Sequence, residues 1–426
     1  MEALHFIFLL HFYIAICSVV VLSANGAEKS ICMIQYNRDI QNTFGMKVRA
    51  AAYAEWRSVD ALRELLKDSS LPRPFLFVGA GSNLLFTGDF PGTVFHSVMK
   101  DIKLLFSEDV RALQSEGGDA LQSDLEQTDG AVMVEAGAGV VFDDFCEWAA
   151  ERGLWGIENL SHIPGEVGAS AVQNVGAYGV EAKDVIERVN CIELSTGKTI
   201  VFANSDCGYG YRASNFKTKW KGQYVITSVV FRLCSVPQPR LDYGHLRTAV
   251  EEHLAKKASL LSGDCPRDSA VKNGEVASEI TLSGITPEVI REAVTAIRRE
   301  KLPEPSELGS AGSFFKNPVI PKSHYEKILS DYRATAGPEA KVPHYIVEQP
   351  DGSAPMIKIP AAWMIEQCGW KGKTLGNVAS YAKQPLVIVN LTGKATPQEV
   401  IALENAIIAS VRDRFSIELH PEVEHI

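Results

Sequence analysis

A chain of 426 residues is too long for one ordinary domain and accommodates two or three. With 46% hydrophobic and 22% charged residues, and with its 33 glycines and 20 prolines dispersed, it falls outside the collagenous and disordered classes. A net charge of -10 argues against general nucleic-acid binding, which needs a basic surface to release counterions, but not against phosphorylated small molecules held by local cations and backbone N–H groups.

In chain order, the first feature is an apolar run, Phe6 to Leu22, followed by Ser23-Ala24-Asn25-Gly26-Ala27. It resembles the apolar core and small-residue cleavage region of a signal peptide. Met1 to His5 carries Glu2 and no Lys or Arg, and His11 interrupts the run. At about 17 residues the segment is marginal for a membrane span. Residues 1–32 are therefore a signal, an anchor or an over-extended start with Met33 opening the globular protein, and no stable membrane insertion is expected of the mature chain. In a secreted chain Asn159-Leu160-Ser161 and Asn390-Leu391-Thr392 would be glycan acceptors, but Asn159 lies in the most motif-dense region, which favours a cytoplasmic protein. The eight cysteines show neither C-x-x-C nor zinc spacing, so isolated thiols and no metal site are expected.

Ser58 can cap a helix with an apolar stripe of Leu62, Leu65 and Leu66. Pro74 to Val78 reads as a buried strand entering a glycine turn, and Val132 to Ala136 as another, followed by Gly137-Ala138-Gly139 and a helix from Val141 to Arg152. Tyr224 to Leu233 is a β-branched and aromatic strand. Thr286-Pro287-Glu288 opens a helix that closes with Arg298, Arg299 and Lys301 before Pro303. Thr396-Pro397-Gln398-Glu399 is a capping box whose helix shows Val400, Leu403, Ile407 and Val411 on one face. Ser107 to Gly130 and Lys256 to Glu279 are polar and are expected to be mobile surface loops. Interleaved strands and helices make the fold class α+β or α/β.

Two stretches suit a ligand. Val78-Gly79-Ala80-Gly81-Ser82-Asn83-Leu84 leads from a strand into two glycines, so backbone N–H groups can approach a diphosphate without an intervening Cβ. It lacks the third glycine of the dinucleotide fingerprint, and alone it would pass for an ordinary turn. Gly156 to Gly179 holds five glycines and three alanines among small polar residues. That composition does not suit an ordinary helix or strand, and it does suit a backbone wrapping a flat polar ligand or packing on itself.

These two stretches resemble the flavin-binding segments of the UDP-N-acetylmuramate dehydrogenase (MurB) family. Further matches follow in the family's order: Asn42-Thr43-Phe44-Gly45, Gly210-Tyr211-Arg212-Ala213-Ser214, Lys301-Leu302-Pro303-Glu304-Pro305, Gly312-Ser313-Phe314-Phe315-Lys316-Asn317-Pro318, Trp363 to Cys368, and Pro421-Glu422-Val423. Apart from the two polar insertions, the resemblance spans Asn42 to Glu422. It implies an α+β flavoprotein with an FAD-binding domain of the vanillyl-alcohol oxidase (PCMH) type at 33–236, in two subdomains, and an α/β substrate-binding domain at 237–426 whose tail returns to the site. FAD would be non-covalent, NADPH the hydride donor, a UDP-sugar the substrate, and the protein a monomer.

The resemblance assigns Ser313 the role of proton donor, and Arg212 with Glu422 the stabilisation of an enol-like intermediate. Tyr243, Lys301 and Asn317 would hold the UDP portion. FAD would rest on Gly79, Ala80, Gly81, Ser82, Asn83 and Leu84, and on Pro164, Gly165, Val167, Gly168, Ala169, Gln173, Asn174, Gly176, Ala177 and Tyr178. The residue types suit the reaction. Hydride addition to an enolpyruvyl ether leaves negative charge that a fixed guanidinium can hold, and the neighbouring carbon then needs a proton. A serine serves as that acid only against a very basic carbanion in a site that excludes water. Taken singly, Arg212 would be a surface cation, Lys301 a helix-end charge and Glu422 a solvated tail residue. Two rivals stay open at this point: an oxidase of the same flavin fold, for which His162 is the nearest attachment point, and a non-catalytic UDP-sugar binder. The ending Glu424-His425-Ile426 and the stretch Tyr381-Ala382-Lys383-Gln384-Pro385-Leu386 depart from the family pattern.

Overall fold

The computed structural model describes residues 20–21, 33–105, 130–262, 284–349 and 352–426. Most of the apolar leader and most of both insertions lie outside them. Among the described residues no helix is long and apolar enough to cross a membrane. The chain forms two compact units interleaved in sequence: Met1–Arg38, Ala50–Gly79 and Pro91–Arg298 make the first, and Asp39–Arg49, Ala80–Phe90 and Arg299–Ile426 the second.

The first unit holds two five-stranded sheets. One runs β1 (Val20–Val21), β2 (Met33–Asp39), β3 (Arg49–Trp56), β6 (Phe90–Ser97), β4 (Phe75–Val78), with β4 parallel to β6. Ser58 caps α1 (Val59–Lys67) as expected, its Oγ accepting from the Ala61 N–H at 3.1 Å. Leu62 and Leu65 are fully buried in a cluster with Trp56 and Phe95. The other sheet is antiparallel and runs β12 (Thr199–Ala203), β11 (Ile186–Glu193), β13 (Tyr224–Cys234), β8 (Ala131–Gly137), β7 (Ile102–Leu105). Its middle strand β13 is almost continuously buried, because apolar residues face both ways along it. Helices α2 (Phe142–Ala150) and α3 (Val167–Gln173) share its core, with Phe145 against Phe231 at a ring separation of 4.7 Å.

Helix α3 corrects the reading of Gly156 to Gly179, whose composition argued against regular structure. Its glycine has a packing reason: a Cβ on Gly168 would lie 2.9 Å from the Cβ of Ala138, so only glycine lets the helix sit this close to the chain after β8. A second correction concerns Lys256 onward. Helix α4 (Leu246–Ser262) runs through the start of that insertion, tied to α5 (Pro287–Lys301) by His253 and Lys257, both on Glu292 at 2.7 and 3.0 Å. Leu246, Val250, Ile290 and Val294 form the core between the two helices.

In the second unit the main sheet runs β14 (Gly309–Ser313), β20 (Val387–Asn390), β19 (Val378–Ser380), β18 (Thr374–Leu375). Helix α8 (Pro397–Phe415) carries the expected capping box, Thr396 and Glu399 exchanging hydrogen bonds at 3.3 and 2.8 Å. Its Val400, Leu403, Ile407 and Val411 are fully buried. Strands β15 (Val319–Pro321), β17 (Met356–Lys358) and β16 (Tyr345–Val347) form a smaller sheet beside α6 (Lys322–Ala336), and α7 (Ala361–Gln367) follows it. Two more pairs matter for the site: β5 (Leu84–Leu85) with β21 (Glu424–His425), parallel, and β9 (Gly176–Ala177) with β10 (Val180–Glu181) in the first unit. Both sequon asparagines are buried and hydrogen-bonded: Asn159 to the carbonyls of Tyr178 and Arg240, Asn390 to that of Phe44. Neither can accept a glycan in the folded chain.

Candidate active site

In the second unit, the turn Asn42–Gly45 is a joint. The Asn42 side chain closes it by donating to the carbonyls of Ile40 and Met46 and accepting from the Met46 N–H. On one side lies Gly81, where a Cβ would fall 3.1 Å from the Gln41 carbonyl. On the other, strand β14 comes in backbone to backbone. Ser310 donates to the Thr43 carbonyl at 2.9 Å, and a Cβ on Gly309 would lie only 2.3 Å from the Phe44 carbonyl oxygen. The Asn-Thr-Phe-Gly segment thus carries both the loop Ala80–Leu84 and the strand that ends in Ser313.

Ser313 sits where the pairing of β14 with β20 slips register, next to Gly312 at φ +70°. A bulge of this kind re-aims a side chain. Here the hydroxyl-bearing residue is exposed while its neighbours Phe314 and Phe315 are fully buried and anchor the turn. The C-terminal segment then pairs with it: Lys316 donates to the His420 carbonyl at 2.9 Å and Glu422 to that of Phe314 at 2.8 Å. Asn83 donates through its side chain to the Glu422 carbonyl at 3.2 Å, and Glu424 donates to the Asn83 carbonyl at 3.0 Å. Main-chain bonds therefore bring Ser313 and Glu422, two of the three residues expected to act, together with the loop Ala80–Leu84. Asn317 accepts from the Ala361 N–H at 2.9 Å and so caps α7. Lys301 is half-buried at the end of α5.

In the first unit, Arg212 adopts a positive φ of 52° and donates to the carbonyls of Gly176 and Asn174. Asn174, fully buried and itself left-handed at the end of α3, organises this corner. Its amide donates to Glu181 at 3.0 Å and to the Gly210 carbonyl at 2.8 Å, and accepts from the Lys183 N–H at 3.0 Å. Its side chain thus wires the strip Asn174–Gly176 to the loop that bears Arg212. Gln173 accepts from Lys217, and the N–H groups of Val167 and Gly168 are engaged by the carbonyls of Val140 and Ala138. Tyr178 meets Tyr243 edge-on at 6.2 Å and pairs with Arg298, whose Nε also donates to the His162 carbonyl at 2.9 Å. Burial pulls the Arg298 guanidinium below its ordinary value and pushes the Tyr178 phenol up, and Arg298 also feels the charge of Arg212. Tyr243, Tyr178 and Arg298 thus contact one another in sequence, with the charge of Arg212 felt at Arg298, and guanidinium and phenol groups suit a carboxylate or diphosphate. The sequence reading treated Arg298 only as a helix-end charge. Its position three residues before Lys301 was the available signal.

A second set of residues escaped the sequence. Tyr53 Oη lies 3.0 Å from His96 Nδ1, and His96 Nε2 lies 2.8 Å from Glu166. Arg38 stacks over the Tyr53 ring at 3.9 Å, and burial together with Glu55 pushes the phenol far up. Glu166 reaches Gly79, where a Cβ would come within 3.1 Å of its carboxylate and 3.4 Å of the Ala169 Cβ. This chain therefore underpins both glycine-rich stretches where β4 ends and α3 begins. Around that point Pro164 and Ala169 are exposed, and Gly79 and Gly165 are half-buried. Small exposed side chains and open backbone fit a flat, diphosphate-bearing cofactor such as FAD.

Residues 304–426 match the profile of the UDP-N-acetylenolpyruvoylglucosamine reductase C-terminal domain, and residues 50–203 that of an FAD binding domain. The chain is 40% identical over 392 residues to the UDP-N-acetylenolpyruvoylglucosamine reductase of Bacteroides fragilis, covering 92% of this chain and 99% of that protein. It is 39% identical to the enzyme of that name from Neisseria meningitidis serogroup C, covering 91% and 96%. A crystal structure of UDP-N-acetylenolpyruvylglucosamine reductase from Thermus caldophilus superposes with a TM-score of 0.52 at 19% identity, over 91% of this chain and 98% of that one, a likeness of fold.

Proposed function

The chain belongs to the UDP-N-acetylenolpyruvoylglucosamine reductase family, and from that premise we propose that it reduces the enolpyruvyl ether of UDP-N-acetyl-3-O-(1-carboxyvinyl)-glucosamine to UDP-N-acetylmuramate with NADPH, for peptidoglycan precursor synthesis. It is a flavoprotein oxidoreductase with a PCMH-type FAD domain and the family's C-terminal domain. Non-covalent FAD, when bound, supplies the hydride chemistry. Segments within 33–236 hold it: Gly79 to Leu84, and Pro164 to Tyr178. Residues after 236 hold the sugar nucleotide, with Tyr243, Lys301 and Asn317 on its UDP portion.

The reaction adds a hydride and a proton across one carbon–carbon double bond. Hydride arrival at the terminal carbon leaves negative charge on its neighbour and on the attached carboxylate. Arg212, whose guanidinium is held by two main-chain carbonyls, answers that charge, and Glu422 acts with it on the enol-like intermediate. Ser313 Oγ then gives its proton to the neighbouring carbon. Arg298 and Tyr178 orient the anionic substrate. The enzyme works as a cytoplasmic monomer, without nucleic acid or stable membrane insertion, and its product serves cell shape and division.

The observation that carries this reading is the main-chain pairing that seats Glu422 beside the Ser313 bulge. The test is direct. The purified protein should be yellow, should release intact FAD on denaturation, and should oxidise NADPH rapidly only when the enolpyruvyl UDP-sugar is present. A colourless protein, or NADPH loss matched by oxygen uptake and indifferent to the sugar, would remove it.

A further inference from the structure

A line of polar side chains in the first unit takes no part in the chemistry proposed above. Arg38, on β2, stacks on the Tyr53 ring and reaches Glu55 at 3.9 Å, Tyr53 and Glu55 both lying on β3. Tyr53 Oη is 3.3 Å from Glu55 Oε1 and 3.0 Å from Nδ1 of His96, on β6. His96 Nε2 in turn lies 2.8 Å from Oε1 of Glu166, the residue before α3. Glu166 is buried, and among the described residues its one ion pair is with His96. Burial and the charge of Glu55 push the Tyr53 phenol far up, so it keeps its proton.

Three hydrogen bonds, from Tyr53 to Glu55, between Tyr53 and His96, and between His96 and Glu166, need three protons. The phenol supplies one and a neutral imidazole one more. The third sits between His96 and Glu166, as imidazolium beside carboxylate or as imidazole beside carboxylic acid, and in either form the pair has no net charge. Arg38 and Glu55 offset each other, so the charge that this proton balances is that of Glu166. Glu166 Oε2 lies 3.1 Å from where a Cβ on Gly79 would fall, and the Cβ of Ala169 closes the same spot at 3.4 Å. Gly79 belongs to one of the segments read above as holding FAD, and Ala169 to the other. Without the third proton a bare carboxylate would face an anionic cofactor across a glycine. We propose that Tyr53, His96 and Glu166 hold one shared proton that neutralises Glu166 beside Gly79, and that retention of FAD is linked to that proton. The three are positioning residues, and the inference rests on the placing of FAD along these two segments.

The experiment follows release of FAD from the diluted holoenzyme, by the rise in flavin fluorescence, from about pH 6 to about pH 8.5, the range in which histidine exchanges its proton. Wild type should release FAD about tenfold faster at the upper end, where the shared proton is lost. Glu166→Gln keeps a hydrogen-bonding partner for the imidazole and has no charge to neutralise, so it should release slowly and at one rate throughout. His96→Gln leaves the carboxylate without its proton and should release FAD about tenfold faster than wild type at about pH 6. Adding Glu166→Gln to that variant should restore the slow rate. The rescue separates charge from packing, because a purely structural contact would leave the double variant at least as leaky as the poorer single. A wild-type rate indifferent to pH, a Glu166→Gln rate that follows the wild-type profile, or a double variant without rescue would overturn the proposal. No sugar enters the measurement, so a wild type that holds FAD and fails to reduce the enolpyruvyl UDP-sugar would remove the proposed reaction and leave this outcome standing.

Discussion

The corner of the first unit that bears Arg212 and the corner of the second that bears Ser313 are built by different means. Ser313 and Glu422 are placed by main-chain bonds: a bulge, the Phe314 carbonyl, and the strip from Asn83 to Leu85. Arg212 sits in a turn closed by main-chain bonds between Gly210 and Ala213, and that turn is tied to the strip Asn174–Gly176 by the buried side-chain amide of Asn174. A corner built on backbone lets its functional side chains be exchanged at little cost to the fold. A corner built on a buried amide couples function to stability, because removing one partner leaves buried polar groups unsatisfied.

The sharpest way to probe this contrast is Arg212→Lys. It retains the charge but loses the planar fork, and sugar reduction should fall by roughly 100- to 1,000-fold in kcat with flavin reduction by NADPH intact. Next comes Asn174→Ala, which should lower stability by about 2–4 kcal/mol in chemical denaturation and lower sugar reduction as well, since the loop holding Arg212 loosens. If Asn174→Ala is as stable as wild type, the claim that this corner depends on one amide is wrong. The smallest effect belongs to Glu404→Gln in the second unit. Burial raises the Glu404 carboxyl from 4.5 to about 7. A folded value above the unfolded one favours the native state fully at low pH, and that contribution is lost as pH rises toward about 7. The glutamine variant, always neutral, should therefore melt near wild type at about pH 4 and a few degrees above it at about pH 8. An equal difference at both pH values would contradict the assigned burial.

What the sequence disclosed follows the same division. The Ser58 cap, the Thr396–Glu399 box and the core stripe of α8 are local patterns, written within a few residues, and all three are present. Helix α3 was hidden because its glycine answers to Ala138, thirty residues away, and not to helix propensity. The wiring of Asn174 to Gly210, and of Tyr53 through His96 to Glu166, joins segments far apart in the chain and leaves no periodic trace. Arg298 read as an ordinary helix-end cation because its partners Tyr178 and His162 lie more than a hundred residues earlier. The candidate site was legible only as an ordered set of short motifs. Their joint, the contact of Gly309 with the Phe44 backbone, could be seen only in three dimensions.

The most direct test of the account is anaerobic stopped-flow spectroscopy of Ser313→Ala, following the flavin absorbance in two steps. NADPH should bleach the flavin at the wild-type rate, and the enolpyruvyl UDP-sugar should then restore the colour at least about 1,000-fold more slowly than in wild type. Recovery of the colour at the wild-type rate would contradict the role of Ser313 as proton donor, and with it the chemistry proposed for this site.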